Sequence, residues 1–207
     1  MPTNSDTKTP ITMKLLILDN YDSFTYNILN ALRSLGVNPD VARNDRIDIA
    51  VIADYDKIII SPGPGIPSEA GILPEMLVEY ADKKSILGIC LGHQAIGERF
   101  GAKLVNLPEV YHGIQTDINV TKGDECLFKG LPTRFPVGRY HSWAVDSHDL
   151  PDCLEVTAAD DHGCIMALRH KEFDVRGVQF HPESILTPDG LTILRNWINH
   201  TTDNDRF

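Results

Sequence analysis

The chain lacks any run of about 18 apolar residues, the length a membrane-spanning helix needs, so no membrane span is expected. The stretch Met1–Thr12 is polar and rich in Ser, Thr and Pro, without the apolar segment of a secretory leader. There is no CxxC pair among the four cysteines, at 90, 126, 153 and 164. That excludes a zinc knuckle and a dithiol redox motif, and the thiols are expected to be free in a reducing cytoplasm. Positive charge is scarce: 19 Lys and Arg stand against 29 Asp and Glu, a net charge of −10. A nucleic-acid-binding face wants the opposite sign. The acidity reads as a solvated surface and says nothing about substrate. No internal repeat, low-complexity tract or dividing linker is present, so 207 residues make one domain able to bury its own core.

Residues 1–13 read as a disordered tail, with Met13 an alternative start; 14–200 form the domain and 201–207 a second tail. Lys14–Leu18 is apolar without alternation, which predicts a buried strand of a parallel sheet. A polar loop follows, in which Ser23 is a candidate helix cap, and Phe24, Ile28, Leu32 and Leu35 fall at helical spacing up to a stop at Gly36. A second strand is predicted over Val37–Arg43. Strands at Lys57–Ile60 and Ser85–Cys90, and helices at Pro74–Ala81 and Gln94–Phe100, continue the alternation of an α/β fold. Between them Ser61–Pro67 can be neither helix nor strand. The second half reads as strands with little helix between: Gln115–Val120, Trp143–Asp146, Leu154–Ala159, Ile165–Arg169 and Val175–Phe180. These are expected as antiparallel additions, before a last helix over Gly190–Asn199.

Gly88-Ile89-Cys90-Leu91-Gly92 has the form G-x-nucleophile-x-G at a strand-to-helix junction. Such an elbow exposes its side chain at the carboxyl end of the sheet, on a turn so crowded that glycine is needed on both sides. The helix behind it offers N–H groups to a thiolate or an oxyanion. A lone cysteine would otherwise read as a small core residue, and the other three are read that way. A cysteine nucleophile needs a base. In Gln179-Phe180-His181-Pro182-Glu183-Ser184, residues i and i+2 of an extended segment point to one side, so His181 and Glu183 are candidates for base and orienting carboxylate. An oxyanion needs N–H donors: Leu91 is one candidate and Gly63, in Pro62-Gly63-Pro64-Gly65, the second. Composition alone makes that loop an ordinary tight connection. His93, beside the nucleophile, reads as packing under the elbow, and His141 as structural. Asp19, Asn20 and Ser23 read as loop and cap chemistry.

Three segments now stand in order: Ser61–Gly65, Gly88–Gln94 and Gln179–Ser184. Together they resemble the class I (triad) glutamine amidotransferases. Asp19-Asn20-Tyr21-Asp22-Ser23-Phe24-Thr25, Arg139-Tyr140-His141-Ser142 and Pro182–Thr187 narrow the resemblance to the small subunits of anthranilate synthase and aminodeoxychorismate synthase. The match covers nearly all of Lys14–Asn199. It implies a flavodoxin-like open, mostly parallel sheet with helices on both faces and antiparallel additions in the C-terminal half. It implies Cys90, His181 and Glu183 as the triad and Gly63 and Leu91 as the oxyanion hole. It implies L-glutamine bound by Gly63, Pro64, Gly65, Gln94, Ser142 and Trp143, with no cofactor and no metal. It also implies a partner, the chorismate-binding large subunit of a synthase, with the loop that holds Asp19, Asn20 and Ser23 near that interface.

The sequence departs from the family pattern twice. His112-Gly113-Ile114-Gln115-Thr116 has isoleucine where the family usually has lysine, and Thr116 keeps a hydroxyl where serine is usual. Trp143 stands where leucine usually follows Arg-Tyr-His-Ser. The first change bears on partner contacts and the second on the pocket edge. Two other readings stand beside this one. One is a γ-glutamyl peptidase on the same scaffold, which does not call for the Pro-Gly-Pro-Gly loop. The other is a non-enzymatic regulatory protein, against which the intact triad speaks.

Overall fold

Side chains that alternate between two cores organise the molecule. The computed structural model describes residues 13–201, so the expected tails lie outside the described residues except for Met13 and Thr201. In strand β1 (Leu15–Asp19), Leu15 and Ile17 enter one core while Leu16 and Leu18 enter the other. Strands β3 (Lys57–Ile60) and β4 (Ser85–Ile89) do the same: Ile59, Leu87 and Ile89 face the first core, Ile58, Ile60 and Ile86 the second. Period-two alternation between two apolar sides leaves no polar face, which is why these strands read as continuous apolar runs. Helices α1 (Thr25–Ser34) and α4 (Gly190–Ile198) cover the first face with Ile28, Leu32, Ile193, Leu194 and Trp197. Helices α2 (Leu73–Tyr80) and α3 (Leu91–Arg99) cover the second with Leu73, Met76, Leu77, Ala95 and Ile96.

The main sheet begins in the order β2 (Asp40–Arg43), β1, β3, β4, β11 (Val175–Val178), all parallel. This is the flavodoxin-like order, whose ligands sit beyond the carboxyl ends of the strands. β10 (Ile165–His170), β9 (Leu154–Ala159), β6 (Ile114–Val120) and β7 (Arg134–Arg139) extend it antiparallel to a nine-stranded sheet. β5 (Leu104–Asn106) and β8 (Trp143–Val145) pair separately.

Several boundaries differ from the sequence reading. β7 is a strand that the sequence does not announce, because Pro136 interrupts its pattern. It lies at the sheet edge, where a residue without an N–H is tolerated. α3 starts at Leu91, not Gln94. Ser23 is not the cap of α1. The carboxylate of Asp22 accepts from Phe24 N–H at 2.7 Å, and that of Asp19 from Tyr21 N–H at 3.0 Å and the Thr25 hydroxyl at 2.8 Å. The loop is then tied inward by Asn20, whose amide donates to Ser61 O at 2.9 Å and whose Oδ1 accepts from Asn44 at 3.0 Å. Among the described residues no helix is long and apolar enough to cross a membrane.

Candidate active site

The backbone sets the position of Cys90. Its N–H donates to Val178 O at 2.8 Å, ending the β4–β11 ladder, and its carbonyl accepts from Gln94 N–H at 3.1 Å, opening α3. Between those two roles its φ is 53° and its ψ −101°. A side chain at positive φ costs on the order of 1–3 kcal/mol and persists only where the surroundings over-determine it. They do here. A Cβ on Gly88 would overlap the Gly92 backbone, and one on Gly92 would lie 2.7 Å from Ile60 O. Strand and helix therefore approach too closely for any residue but glycine. The sulfur that results is buried yet lines a cleft.

His181 and Glu183 meet as expected, but by a different local structure. β11 ends at Val178, and the pair sits in a turn closed by Ser184 N–H donating to His181 O at 3.2 Å. His181 Nδ1 lies 2.7 Å from Glu183 Oε1, and the carboxylate side chain is wholly buried. Thr187 fixes the turn by donating to His181 O at 2.6 Å while accepting from Gly138 N–H at 2.9 Å. Burial alone would push the imidazole pKa down. Cys90 and then Glu183 outweigh it and raise the value to about 10. Among the described residues His181 Nε2 has no conventional hydrogen-bond partner; the Cys90 sulfur is the group that acts on it most strongly. Phe24 and Tyr140 bracket the ring, with centroids 5.1 and 4.8 Å from it.

The cleft over the sulfur encloses about 180 Å³ and is lined by Gly63, Gly65, Cys90, Gln94, Ser142 and Trp143, with Val110, Tyr111, His112, Tyr140 and His141 completing the wall. Six of the residues assigned by resemblance thus share one cavity. Pro64, Leu91, His181 and Glu183 do not line it; Pro64 and Leu91 border a second depression, next to Asn20 and Tyr21. Gly63 is where the loop touches the elbow: a Cβ there would stand 2.5 Å from Leu91 Cδ2 and 2.9 Å from Asn20 O. Leu91, the first residue of α3, has an N–H that no helical carbonyl can accept. Gln94 Nε2 donates to Trp143 O at 2.9 Å, so one pocket residue holds another. A larger cavity of about 650 Å³ lies behind β5 and β8, away from Cys90.

Two further histidines near the elbow are buried and neutral. His141 Nδ1 lies 2.8 Å from Trp143 O, and Arg139 Nε is 3.1 Å from its Nε2, which makes Nδ1 the protonated nitrogen. Burial, aided by Arg139, brings its pKa down to about 4. The Arg139 guanidinium is in turn held by Asp160 at 2.7 Å. His93 packs against Gly177 under the elbow, fully enclosed, with neither ring nitrogen in a good hydrogen bond among the described residues. Burial takes its pKa down to about 3, with the Gly177 backbone acting weakly the other way.

Among the residues of the site that carry no role in the sequence reading are Phe24, Tyr140 and Gln179. Gln179 is wholly buried beside Cys90. It lies two residues before His181, so the i, i+2 rule that pairs His181 with Glu183 would include it. Phe24 and Tyr140 leave no such signal, because their contact joins segments more than a hundred residues apart.

The fold is an open α/β sheet that carries a strained cysteine elbow on the wall of a cleft, with a buried His–Glu pair near it. The chain belongs to the glutamine amidotransferase class-I family, whose description it matches over residues 16–201. It is 46% identical over 196 residues to anthranilate synthase component 2 of Pseudomonas putida, covering 91% of this chain and 98% of that one. It is 44% identical over 187 residues to aminodeoxychorismate synthase component 2 of Escherichia coli, covering 89% and 99%. A crystal structure from Thermoplasma acidophilum, of a protein provisionally named as part of GMP synthase, superposes with a TM-score of 0.81 at 30% identity, covering 90% of this chain and 92% of that one.

Proposed function

We propose that the protein is the glutaminase subunit of a two-component synthase, and that Cys90, His181 and Glu183 are its triad. The Cys90 sulfur, its proton passed to His181, adds to the side-chain amide carbon of L-glutamine. His181 gives that proton to the departing nitrogen, ammonia leaves, and a γ-glutamyl thioester remains. Water deprotonated by His181 cleaves the thioester, releasing glutamate and returning the thiol. Glu183 holds the ring in the tautomer with Nδ1 protonated and stabilises the imidazolium between the two transfers. The negative charge that develops on the carbonyl oxygen is met by the N–H groups of Leu91 and Gly63. Gly63, Gly65, Gln94, Ser142 and Trp143 hold the glutamine. What supports this reading most is a positive-φ cysteine on the wall of a cleft, beside a buried His–Glu pair whose imidazole feels the Cys90 sulfur.

Ammonia in bulk water is protonated and loses its nucleophilicity, so release calls for a docked acceptor enzyme. The partner in this reading is a chorismate-binding large subunit, in the cytoplasm. The rim is suited to docking: Val110, Ile114 and Ile185 are exposed beside the cleft and the triad turn. The product, anthranilate or 4-amino-4-deoxychorismate, is set by that partner. The test is glutamate release and product formation from chorismate and glutamine, using the complex recovered from native cells. Wild-type complex is expected to release glutamate faster than the isolated chain, and Cys90→Ala complex to release none. Normal glutamate release by Cys90→Ala would end the triad reading. Formation of anthranilate, of aminodeoxychorismate, or of both identifies the pathway.

A further inference from the structure

We infer that Gln179 is a further catalytic residue, whose side-chain amide donates a hydrogen bond to the Cys90 sulfur and favours its thiolate; this deepens the triad reading and rests on it. Gln179 is fully enclosed. A buried amide must find partners for both its oxygen and its nitrogen, or cost its desolvation. Its Nε2 lies 3.7 Å from Cys90 Sγ and its Oε1 accepts from Gln94 Nε2 at 3.2 Å.

The orientation of the amide follows from its surroundings. Trp143 O can only accept, so the Gln94 group 2.9 Å from it must be the NH₂. The second hydrogen of that NH₂ points to Gln179, which must present its oxygen there. The Gln179 NH₂ is then left facing the sulfur. The result is a line from the pocket wall to the nucleophile: Trp143 carbonyl, Gln94, Gln179, Cys90. A donor aimed at a sulfur that gains charge is worth more to the thiolate than to the thiol. His181 supplies a proton acceptor for the sulfur; Gln179 approaches it from the protein interior and needs no proton transfer.

The experiment is iodoacetamide alkylation of the whole chain, with the labelled peptide mapped to Cys90. It is run one pH unit below the midpoint of the wild-type rate profile. Gln179→Met keeps length and volume and removes the donor; Gln179→Asn keeps an amide that stops short of the sulfur. For each variant the thiolate population, read by its absorbance near 240 nm against Cys90→Ala, is expected to fall about tenfold. The remaining thiolate is more basic and about threefold more reactive, so the net alkylation rate falls about threefold. A purely structural role predicts the reverse, because loosened packing exposes a buried thiol and speeds its alkylation. Unchanged or faster alkylation in both variants overturns the assignment. If Met disturbs the far-UV circular dichroism, the Asn variant decides. Should Cys90→Ala retain glutaminase activity, the triad reading fails; should Cys90 be essential while the Gln179 variants label like wild type, only the present inference fails.

Discussion

His93→Leu separates a structural histidine from a second base, and its consequence can be worked out. His93 is enclosed and its pKa is brought down to about 3 by burial. In the unfolded chain a histidine titrates near 6.5. The folded value lies below the unfolded one, so acid favours the unfolded state: the native protein loses stability as pH falls below about 6.5, down to about 3. Between pH 7 and pH 5 the unfolded chain gains most of a proton at this site while the native state gains almost none. At about 1.4 kcal/mol per pH unit, that is about 2 kcal/mol lost from this one residue. The figure is insensitive to the native value, since pH 5 is well above it. Leucine is close to histidine in volume and lacks the two ring nitrogens that stand here without good partners. The variant is therefore expected to match or exceed wild type at pH 7 and to lose about 2 kcal/mol less on going to pH 5. Urea unfolding at the two pH values, followed by tryptophan fluorescence, measures this. An unchanged pH dependence would refute the argument. So would a fall in glutaminase rate of more than about tenfold in a folded variant, since it would make His93 part of the chemistry.

Two further substitutions bear on the site. Glu183→Gln keeps the shape but lets an amide donate to Nδ1, which favours the wrong tautomer; kcat for glutaminase is expected to fall on the order of a thousandfold with KM changed less than threefold, and steady-state kinetics with the partner present decides it. Gly63→Ala places a methyl 2.5 Å from Leu91 Cδ2 and 2.9 Å from Asn20 O. The loop must retreat from the elbow, so kcat should fall by about a hundredfold, the scale of losing one oxyanion donor. Far-UV circular dichroism should be unchanged, and full activity would remove Gly63 from the proposal.

Much of this arrangement is legible in the sequence, for reasons that differ by residue. The parallel strands read clearly because burial on both faces leaves Leu15–Leu18 and Ile58–Ile60 without a polar position. The elbow reads because two close approaches of backbone to backbone admit only Gly88 and Gly92. β7 does not read, since Pro136 breaks a strand pattern that only an edge position tolerates. The start of α3 is hidden by the same Gly92 that the elbow requires, because glycine argues locally against helix. The His181–Glu183 contact is expected from an extended segment and is made in a turn. The residue types carry that expectation, and the backbone reaches it by another route. Phe24 against His181 is a tertiary contact, and no local pattern encodes it.

The place of β11 has a consequence for synthesis of the chain. This strand comes near the end of the sequence, yet it lies between β4 and β10 at the centre of the sheet. A nascent chain that has emerged only as far as β10 has two sheet edges open at once, and Cys90 has neither His181 nor the carbonyl of Val178 that anchors its turn. Unpaired central edges are the surfaces on which chains associate wrongly. A ribosome-stalled or prematurely terminated product of this gene is therefore inert toward glutamine and prone to aggregate, so ammonia release begins only once the last strand has threaded the middle of the sheet.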